Sequence, residues 1–297
     1  MYKDVPVLFD AWDIDRSAEL CPVDLPGEAT VEEAVAGPLA AHLRFRRRLL
    51  GSEVTQEVWL RRGSRRVDFR TVVDWRESHK LLKVAFPVRF HANEAIHEIQ
   101  FGHLRRPNHY SRPYDADRFE VAQHRWTALA EEGRGCAVLN DSKYGVNVLG
   151  GTIALTLLKS ALAPDFVADK GRQEFTYAFY AWNGSLADSG LVREGYDLNV
   201  PVLAVGGDAG EASLLAVDAP NIVIEAVKPA EDGSGDVIVR LYESKRMATR
   251  CLLRTTLPVR GVTETDLLEN EKAGLRVEDG AVRLDFRPFE IKTLRLA

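Results

Sequence analysis

Cysteine is scarce in this chain, and long apolar runs are missing. The three cysteines, Cys21, Cys136 and Cys251, are odd in number and far apart, so they match neither a disulfide framework nor a zinc or redox motif. A reducing compartment is therefore expected, and the cytoplasm is the predicted location. No run of 18 apolar residues predicts a membrane-spanning helix. Residues 1–6 lack the apolar stretch of a signal peptide.

The chain also lacks an excess of positive charge. Lys and Arg number 39 against 44 Asp and Glu, which gives a formal net charge of −5. Binding to nucleic acid or to an anionic membrane requires a basic surface, so neither partner is expected. Hydrophobic residues make up 45% of the 297 and charged residues 28%, a balance typical of folded globular proteins. The length corresponds to about two domains.

Several catalytic signatures are absent. The sequence has no serine nucleophile elbow, no glycine-rich phosphate loop and no His-Glu-x-x-His motif. Four histidines recur every six residues, at His91, His97, His103 and His109, but metal-binding pairs on a helix need a spacing of three or four. These histidines are therefore interpreted as ordinary loop and surface residues.

Three aspartates near the start, Asp10, Asp13 and Asp15, superficially suggest calcium because carboxylate oxygens are its preferred ligands. An EF-hand loop also needs a glycine at its sixth position and a distal glutamate, and both are missing here. We interpret these aspartates as turn and capping residues. We expect this chain to form no metal site and to hold no cofactor.

Alternation of apolar and polar residues dominates the sequence and predicts strands with one buried face. It is clearest over residues 54–60, 67–75 and 82–90. Gly63 lies between the first two runs and suits a hairpin turn. The connections leave no room for helical crossovers, so the three runs predict an antiparallel meander. Pro87 predicts that the third strand lies at an edge or contains a bulge.

The middle of the chain is expected to be looped. Residues 102–117 are rich in Gly, Pro, Asn and Asp, the residue types that interrupt strands. Apolar runs that predict strands return at residues 136–139, 153–158 and 175–182. One helix is predicted over residues 185–198, ended before Pro201.

A domain boundary is predicted in the small and polar stretch over residues 206–211. The predicted domains are residues 1–210 and 211–297. After the boundary, alternation resumes in short runs, which lie at residues 222–224, 237–241, 282–286 and 291–296. The predicted fold class is all-β, with a large antiparallel sandwich followed by a smaller β-sandwich.

The segment over residues 105–126 has the composition of a binding loop. It carries planar donors, imidazoles and aromatic rings, and long loops on a rigid β scaffold often hold binding groups. Sugars suit this mixture because hydroxyls accept and donate hydrogen bonds while C–H faces stack on rings. The same residues could instead hold the loop in place through contacts within the protein, so both interpretations stay open. The arginines within residues 44–48 and 61–66 alternate with acids and are interpreted as solvated strand faces.

Several short words place the chain beside a known family. They occur in the family's order, and they are Phe9-Asp10-Ala11-Trp12-Asp13-Ile14-Asp15, Val67-Asp68-Phe69-Arg70-Thr71, Val73-Asp74-Trp75, His79-Lys80-Leu81-Leu82-Lys83-Val84, Glu98-Ile99-Gln100-Phe101-Gly102, Arg106-Pro107-Asn108-His109, Arg118-Phe119-Glu120-Val121, His124-Arg125-Trp126, Leu139-Asn140-Asp141-Ser142-Lys143-Tyr144-Gly145, Val239-Arg240-Leu241-Tyr242-Glu243 and Arg287-Pro288-Phe289-Glu290-Ile291-Lys292-Thr293-Leu294. On these words the chain resembles the C-terminal β region of the glycoside hydrolase family 38 α-mannosidases.

The resemblance implies a role in a retaining α-mannosidase that acts on α-mannosides in glycans. In that family the aspartate nucleophile and the zinc ligands belong to an N-terminal catalytic domain. No residue of this chain matches those motifs, so no catalytic or metal-binding residue is assigned to it. The catalytic domain of the same enzyme is the expected partner, and zinc is expected only in the full-length enzyme.

The resemblance also implies a fold and a pocket-facing segment. The large domain is expected to be a supersandwich like that of galactose-mutarotase-like domains, truncated at its start. Arg106, Asn108, His109 and Arg118 are predicted to contact the mannose-containing glycan. Asn108 stands where many relatives have threonine. Loss of opening strands would uncover apolar surface, so an exposed hydrophobic patch or a homo-oligomer is expected.

Two other functions stay open. The chain could be an autonomous carbohydrate-binding or structural module. A sugar mutarotase, suggested by fold analogy alone, would need a histidine acid beside a carboxylate base. The pairs available for that chemistry are His103 or His109 with Glu98 or Glu120.

Overall fold

The computed structural model describes residues 1–207 and 210–297. The chain is almost entirely β and divides into two compact units. The first consists of Met1–Ile99 and Leu104–Val202, and the second of Gln100–His103 and Leu203–Ala297. The linker predicted over residues 206–211 includes Asp208 and Ala209, which lie outside the described residues. The boundary between residues 210 and 211 therefore stays a prediction.

Two antiparallel sheets form the large β-sandwich. One has five strands in the order β1-β6-β13-β12-β9, and the other has nine in the order β2-β3-β4-β5-β14-β11-β10-β7-β8. The strands are β1 (Tyr2–Lys3), β2 (Ala29–Ala36), β3 (Ala40–Leu49), β4 (Ser52–Arg61), β5 (Arg66–Trp75), β6 (Lys80–Pro87), β7 (Glu94–Ile99), β8 (Gly102–Pro107), β9 (Val121–Ala122), β10 (Trp126–Glu131), β11 (Arg134–Asn140), β12 (Gly145–Leu149), β13 (Thr152–Lys159) and β14 (Gly171–Asn183).

The core of the sandwich lies between these sheets. Side chains from the nine-stranded sheet, including Trp75, Leu129 and Val138, form one buried cluster with Ile153 and Leu155 of the five-stranded sheet. Alternation along each strand places these residues on one face, as the sequence predicts. Burial of this apolar surface is the main favourable term in folding of the unit.

The hairpin predicted from the first two alternating runs is confirmed. β4 and β5 pair antiparallel, with Val58 opposite Phe69, and Gly63 adopts a φ of +75° in the turn. This left-handed conformation costs glycine little because it has no Cβ.

The predicted three-stranded meander is wrong at its third strand. β6 joins the other sheet, where it pairs with β1 and β13. The chain changes layer at His79, whose φ of +51° turns the backbone and whose N–H donates to the carbonyl of Ser160 at 2.6 Å. β6 also ends at Pro87 rather than at residue 90. Alternation predicts a buried face but does not say which sheet the strand joins.

The middle segment contains more structure than the sequence predicts. Residues 102–107 form β8, and a short helix, α1, spans Pro113–Ala116. The observed helix, α2, spans Leu191–Asn199 and follows a turn, so it is shorter and begins later than the helix predicted over residues 185–198. α2 packs on β11, and its buried residues are Leu191, Val192 and Gly195. Gly195 lies against Trp126 of β10, so α2 covers the face of the nine-stranded sheet opposite the core.

The second unit is a smaller β-sandwich. Its four-stranded sheet has the order β15-β18-β22-β21, and its five-stranded sheet has the order β16-β17-β23-β19-β20. The strands are β15 (Leu215–Val217), β16 (Ile222–Pro229), β17 (Val237–Glu243), β18 (Thr249–Thr255), β19 (Val262–Thr265), β20 (Glu271–Leu275), β21 (Val277–Glu278), β22 (Ala281–Phe286) and β23 (Ile291–Leu296). Its core includes Leu241, Leu253, Leu284 and Leu294. The four alternating runs predicted after the boundary are confirmed as β16, β17, β22 and β23.

Candidate functional site

Two of the predicted site residues, Arg106 and Arg118, meet at one small polar cavity in the large sandwich. Arg106 is on β8, and Arg118 follows α1. Together with the buried His97 and with Asp115 they line a cavity of about 10 Å³. The cavity is too small to enclose a ligand, so any group bound there would sit at its rim.

The electrostatics of this cavity favour an anion or a cluster of hydroxyl groups. Burial and the nearby charge of Arg118 lower the pKa of Arg106. Asp115 is held by Arg112 through two side-chain hydrogen bonds of 2.9 and 3.1 Å. Within residues 1–207 and 210–297, neither Arg106 nor Arg118 forms an ion pair with a carboxylate. Because the carboxylate of Asp115 is engaged by Arg112, the two arginines at the cavity keep donors available to an external acceptor.

His97 shows how strongly this cavity disfavours further positive charge. Burial and the charge of Arg106 lower the pKa of His97 to about 3. Its Nδ1 lies 2.9 Å from the hydroxyl of Thr127, which fixes the ring. His97 is therefore a neutral imidazole at physiological pH.

The other two predicted site residues lie away from the cavity. The side-chain amide of Asn108 donates to the carbonyls of Ala92 at 2.9 Å and Gly150 at 2.8 Å, and the residue is 2% exposed. Both amide hydrogens are thus engaged in joining loops. His109 is exposed and does not line the cavity. The structure brings together Arg106 and Arg118 but not the full predicted set, and a glycan contact stays a prediction for all four.

A broad open cleft of about 820 Å³ lies in the same sandwich and was not anticipated from the sequence. Apolar and polar groups share its lining, and the residues with hydrogen-bonding side chains are His91, Asn93, Glu94, Arg105, Glu131, Glu132 and Ser185. The β10–β11 turn supplies two adjacent glutamates, of which Glu131 accepts from the His91 N–H at 2.9 Å. The signal in the sequence is this acidic turn, Glu131-Glu132-Gly133, between two buried strands.

The carboxylates proposed for a mutarotase are occupied by other partners. Glu98 accepts from the Arg125 N–H at 2.7 Å and from its guanidinium at 2.9–3.0 Å. Burial raises the pKa of Glu98. Glu120 is bound by Lys83 and by the hydroxyl of Thr156. Neither position offers a free carboxylate base, so the geometry gives the mutarotase hypothesis no support.

The aspartates considered for calcium have structural partners. Asp10 Oδ2 accepts from the N–H groups of Leu162 and Ala163, and Asp15 accepts from the N–H of Val7 at 2.8 Å. Across the described residues, no group of three or more His, Cys, Asp or Glu side chains is arranged to hold a metal ion. In the same part of the chain, no helix is long and apolar enough to cross a membrane.

Comparison with family models decides the relationship. The model described as the glycosyl hydrolases family 38 C-terminal domain matches residues 1–167, and the family 38 C-terminal beta sandwich domain matches residues 221–294. The chain belongs to glycoside hydrolase family 38. It corresponds to the C-terminal region of that family, as the sequence words predict.

Curated relatives in family 38 match along the whole chain. Alpha-mannosidase 2C1 of Homo sapiens is 41% identical over 306 residues, covering 100% of this chain and 29% of that protein. Alpha-mannosidase G of Dictyostelium discoideum is 34% identical, covering 99% of this chain and 28% of that protein. The chain therefore spans less than a third of the length of these family 38 relatives.

A solved family member confirms the fold. The crystal structure of an alpha-mannosidase from Enterococcus faecalis V583 matches with a TM-score of 0.75 at 20% identity. The match covers 91% of this chain and 35% of that structure. The all-β architecture is thus the architecture of family 38 C-terminal regions.

Proposed function

We propose that this chain is the C-terminal β portion of a retaining α-mannosidase that hydrolyses α-mannosides in glycans. The observation that carries the proposal is the 41% identity to human alpha-mannosidase 2C1 over the complete chain. The nucleophile and the zinc ion would reside in a catalytic segment of the same enzyme. The two sandwiches would complete the fold of that enzyme.

Arg106 and Arg118 are the residues we propose to border the substrate pocket. Their guanidinium groups lie at one cavity without a carboxylate partner in the described part of the chain. Planar donors of this kind bind sugar hydroxyls, or an acidic side chain of the catalytic segment, through directed hydrogen bonds. His109 is exposed on the connection between the two arginines. Asn108 would support that connection by pinning it to Ala92 and Gly150.

The test is an α-mannosidase assay with a chromogenic α-mannoside. The chain is assayed alone, and then together with the family 38 catalytic segment encoded in the same genome, each with and without zinc. We expect no activity from the chain alone and zinc-dependent activity from the pair. Hydrolysis by the isolated chain, or failure of the pair to hydrolyse mannoside under any condition, would contradict the proposal.

The second candidate is an autonomous carbohydrate-binding module, and the 820 Å³ cleft favours it. Its polar side chains offer both donors and acceptors, which suits a hydroxyl-rich ligand. Calorimetric titration of the isolated chain with mannose-rich glycans decides between the candidates. Binding lost in Glu132→Gln would assign the cleft, and binding lost in Arg106→Ala or His109→Ala would assign the loop. A flat titration would leave the enzyme portion as the better function.

Compartment and assembly belong to the same proposal. We propose a cytoplasmic enzyme, because Cys21, Cys136 and Cys251 are all free thiols and two of them are buried. Association into a homo-oligomer is the alternative to docking of a catalytic segment, and light scattering of the purified chain at several concentrations tests it.

A further inference from the structure

Two neighbouring loops of the large sandwich expose an unusual number of large apolar side chains. Phe9 is 65% exposed, Trp12 73% and Phe166 75%. The surface formed by these loops, called the two-loop surface below, consists of Val7, Leu8, Phe9, Trp12, Phe166 and Val167. Single exposed apolar residues are common on proteins, but a group of six on two joined loops, three of them aromatic, makes this surface a candidate interaction site.

Asp10 holds the two loops side by side. Its Oδ2 accepts from the N–H groups of Leu162 at 2.7 Å and Ala163 at 3.1 Å, and it lies 3.1 Å from Nε2 of His79. The first loop carries Phe9 and Trp12 on either side of Asp10, and the second continues directly to Phe166. One carboxylate therefore joins the two loops that carry these exposed aromatic residues.

The first loop is fixed by its own backbone as well. The carbonyl of Phe9 accepts from the N–H groups of Trp12 at 2.8 Å and Asp13 at 2.9 Å. Phe9 adopts a φ of +55°, a conformation that a bulky residue rarely takes. A backbone held in this way lowers the entropy lost when a partner binds to the loop.

We propose that the two-loop surface is where the catalytic segment of the α-mannosidase packs on this β portion. This inference rests on the proposed function. The family match begins at residue 1, so the first loop lies in the family domain, and over two thirds of the human relative lies outside the match. Of the aspartates in the first loop, Asp10 and Asp15 already accept backbone N–H groups. Exposed aromatic residues are enriched in protein–protein interfaces, which suits a protein partner at this surface.

The experiment compares a surface variant with a matched control. The variant carries Phe9→Asn and Trp12→Ser, since asparagine tolerates the positive φ of residue 9 and both side chains are exposed. The control carries Leu267→Ser and Leu268→Ser on the second unit, where Leu268 is 83% exposed. Unfolding curves are expected to overlay the unmodified chain for both proteins. Binding to the purified catalytic segment from the same genome is measured by biolayer interferometry, and mannosidase activity is measured in parallel.

We expect the Kd of the surface variant to rise at least 30-fold while the control stays within twofold. If the unmodified pair binds and is active but the variant binds equally well, the surface assignment is wrong and the proposed function stands. If the unmodified pair neither binds nor hydrolyses mannoside, the proposed function fails with it. Self-association or mannan binding that the variant abolishes would assign the surface to a second copy or to a glycan and overturn the proposal.

Discussion

In the large sandwich, some side chains form hydrogen bonds with residues that are distant in the sequence. The Asn108 amide spans 42 residues to reach Gly150 and 16 residues to reach Ala92. Arg106, only two positions earlier, faces the polar cavity instead. Within residues 106–109, Asn108 therefore stabilises the fold, whereas Arg106 faces the candidate site. Substitution of each residue should separate the two roles.

Substitution of Asn108 should destabilise the fold. Asn108→Ala removes two hydrogen bonds to backbone carbonyls, which should cost about 2 kcal/mol, whereas Asn108→Thr keeps one hydroxyl donor and should cost about half as much. Urea unfolding followed by tryptophan fluorescence measures both variants. Asn93→Ala, an exposed neighbour, serves as the control and should change stability by less than about 0.5 kcal/mol. Equal losses for Ala and Thr would show that the amide bonds contribute little.

His97 should make stability fall in mild acid. Its pKa is about 3 in the fold against 6.5 when unperturbed, because burial and Arg106 oppose its protonation. Between those values the unfolded chain binds more protons, so stability is retained above about pH 6.5 and lost as the pH falls. From pH 7 to pH 5 the loss should be about 2 kcal/mol.

The variant that isolates this effect is His97→Gln, which keeps a polar side chain beside Thr127 but does not titrate. The difference in stability between pH 7 and pH 5 should shrink in this variant by about 2 kcal/mol. His91→Gln, at an exposed histidine, should leave the pH dependence unchanged. An unaltered pH profile in His97→Gln would rule out this residue as the source.

At the scale of elements, the nine-stranded sheet is buried on both faces along part of its width. Tyr177 and Phe179 of β14 face the core, whereas Tyr180 and Trp182 lie on the same side as α2. The ion pair of Arg66 with Glu194 at 2.8 Å ties α2 to β5. Close packing of rings against glycine on this side makes the sheet sensitive to a single added methyl group.

Gly135 of β11 is the position where that sensitivity should be greatest. A Cβ there would overlap the ring of Trp182, so Gly135→Ala should cost about 3 kcal/mol or more. Gly133 is two residues away in the adjoining turn, and a Cβ there would meet nothing within 4 Å. Gly133→Ala should therefore be neutral to within about 0.5 kcal/mol. Thermal unfolding of the two variants in parallel checks the prediction, which fails if both behave alike.

The sequence predicts individual strands better than it predicts their assembly. β4 and β5 form where apolar and polar residues alternate in the sequence, with Val54, Val58, Phe69 and Val73 at the apolar positions. The layer change before β6 depends on the backbone of His79 and on its bond to Ser160, a residue 81 positions away. No local pattern encodes such a contact, so the meander prediction fails there.

The candidate site is predictable to a similar extent. Arg106 and Arg118 are recognisable as donors on a loop, and they do meet at one cavity. Composition does not reveal that the Asn108 amide donates its hydrogens to backbone carbonyls. It also does not reveal that the β10–β11 turn and β7 line a cleft. Both facts depend on partners distant in sequence, which only the folded chain brings together.

At the scale of the whole molecule, the chain consists of two sandwiches, each with its own core. We propose that these correspond to domains over residues 1–210 and 211–297. Val202, Leu203 and Val205 are strongly exposed and lie outside any strand or helix. Exposed chain of this kind is the preferred site of proteolysis.

Brief digestion with thermolysin should therefore cut first between about residues 200 and 214. Mass spectrometry of the products should show two fragments that resist further digestion, because each retains a complete core. A first cut within β15–β23, or rapid loss of the smaller fragment, would contradict the assignment of two domains.

The carboxylate of Asp10 also has a consequence for the order of folding. It joins backbone segments 152 residues apart in the chain. Closing so long a loop has an entropic cost, and contacts between distant residues form slowly in folding. We therefore expect the two loops to come together late in folding, after local strand pairs have formed. If the catalytic segment binds this surface as proposed, a partly folded chain would lack the arrangement it binds, and binding would also act as a check that the sandwich is complete.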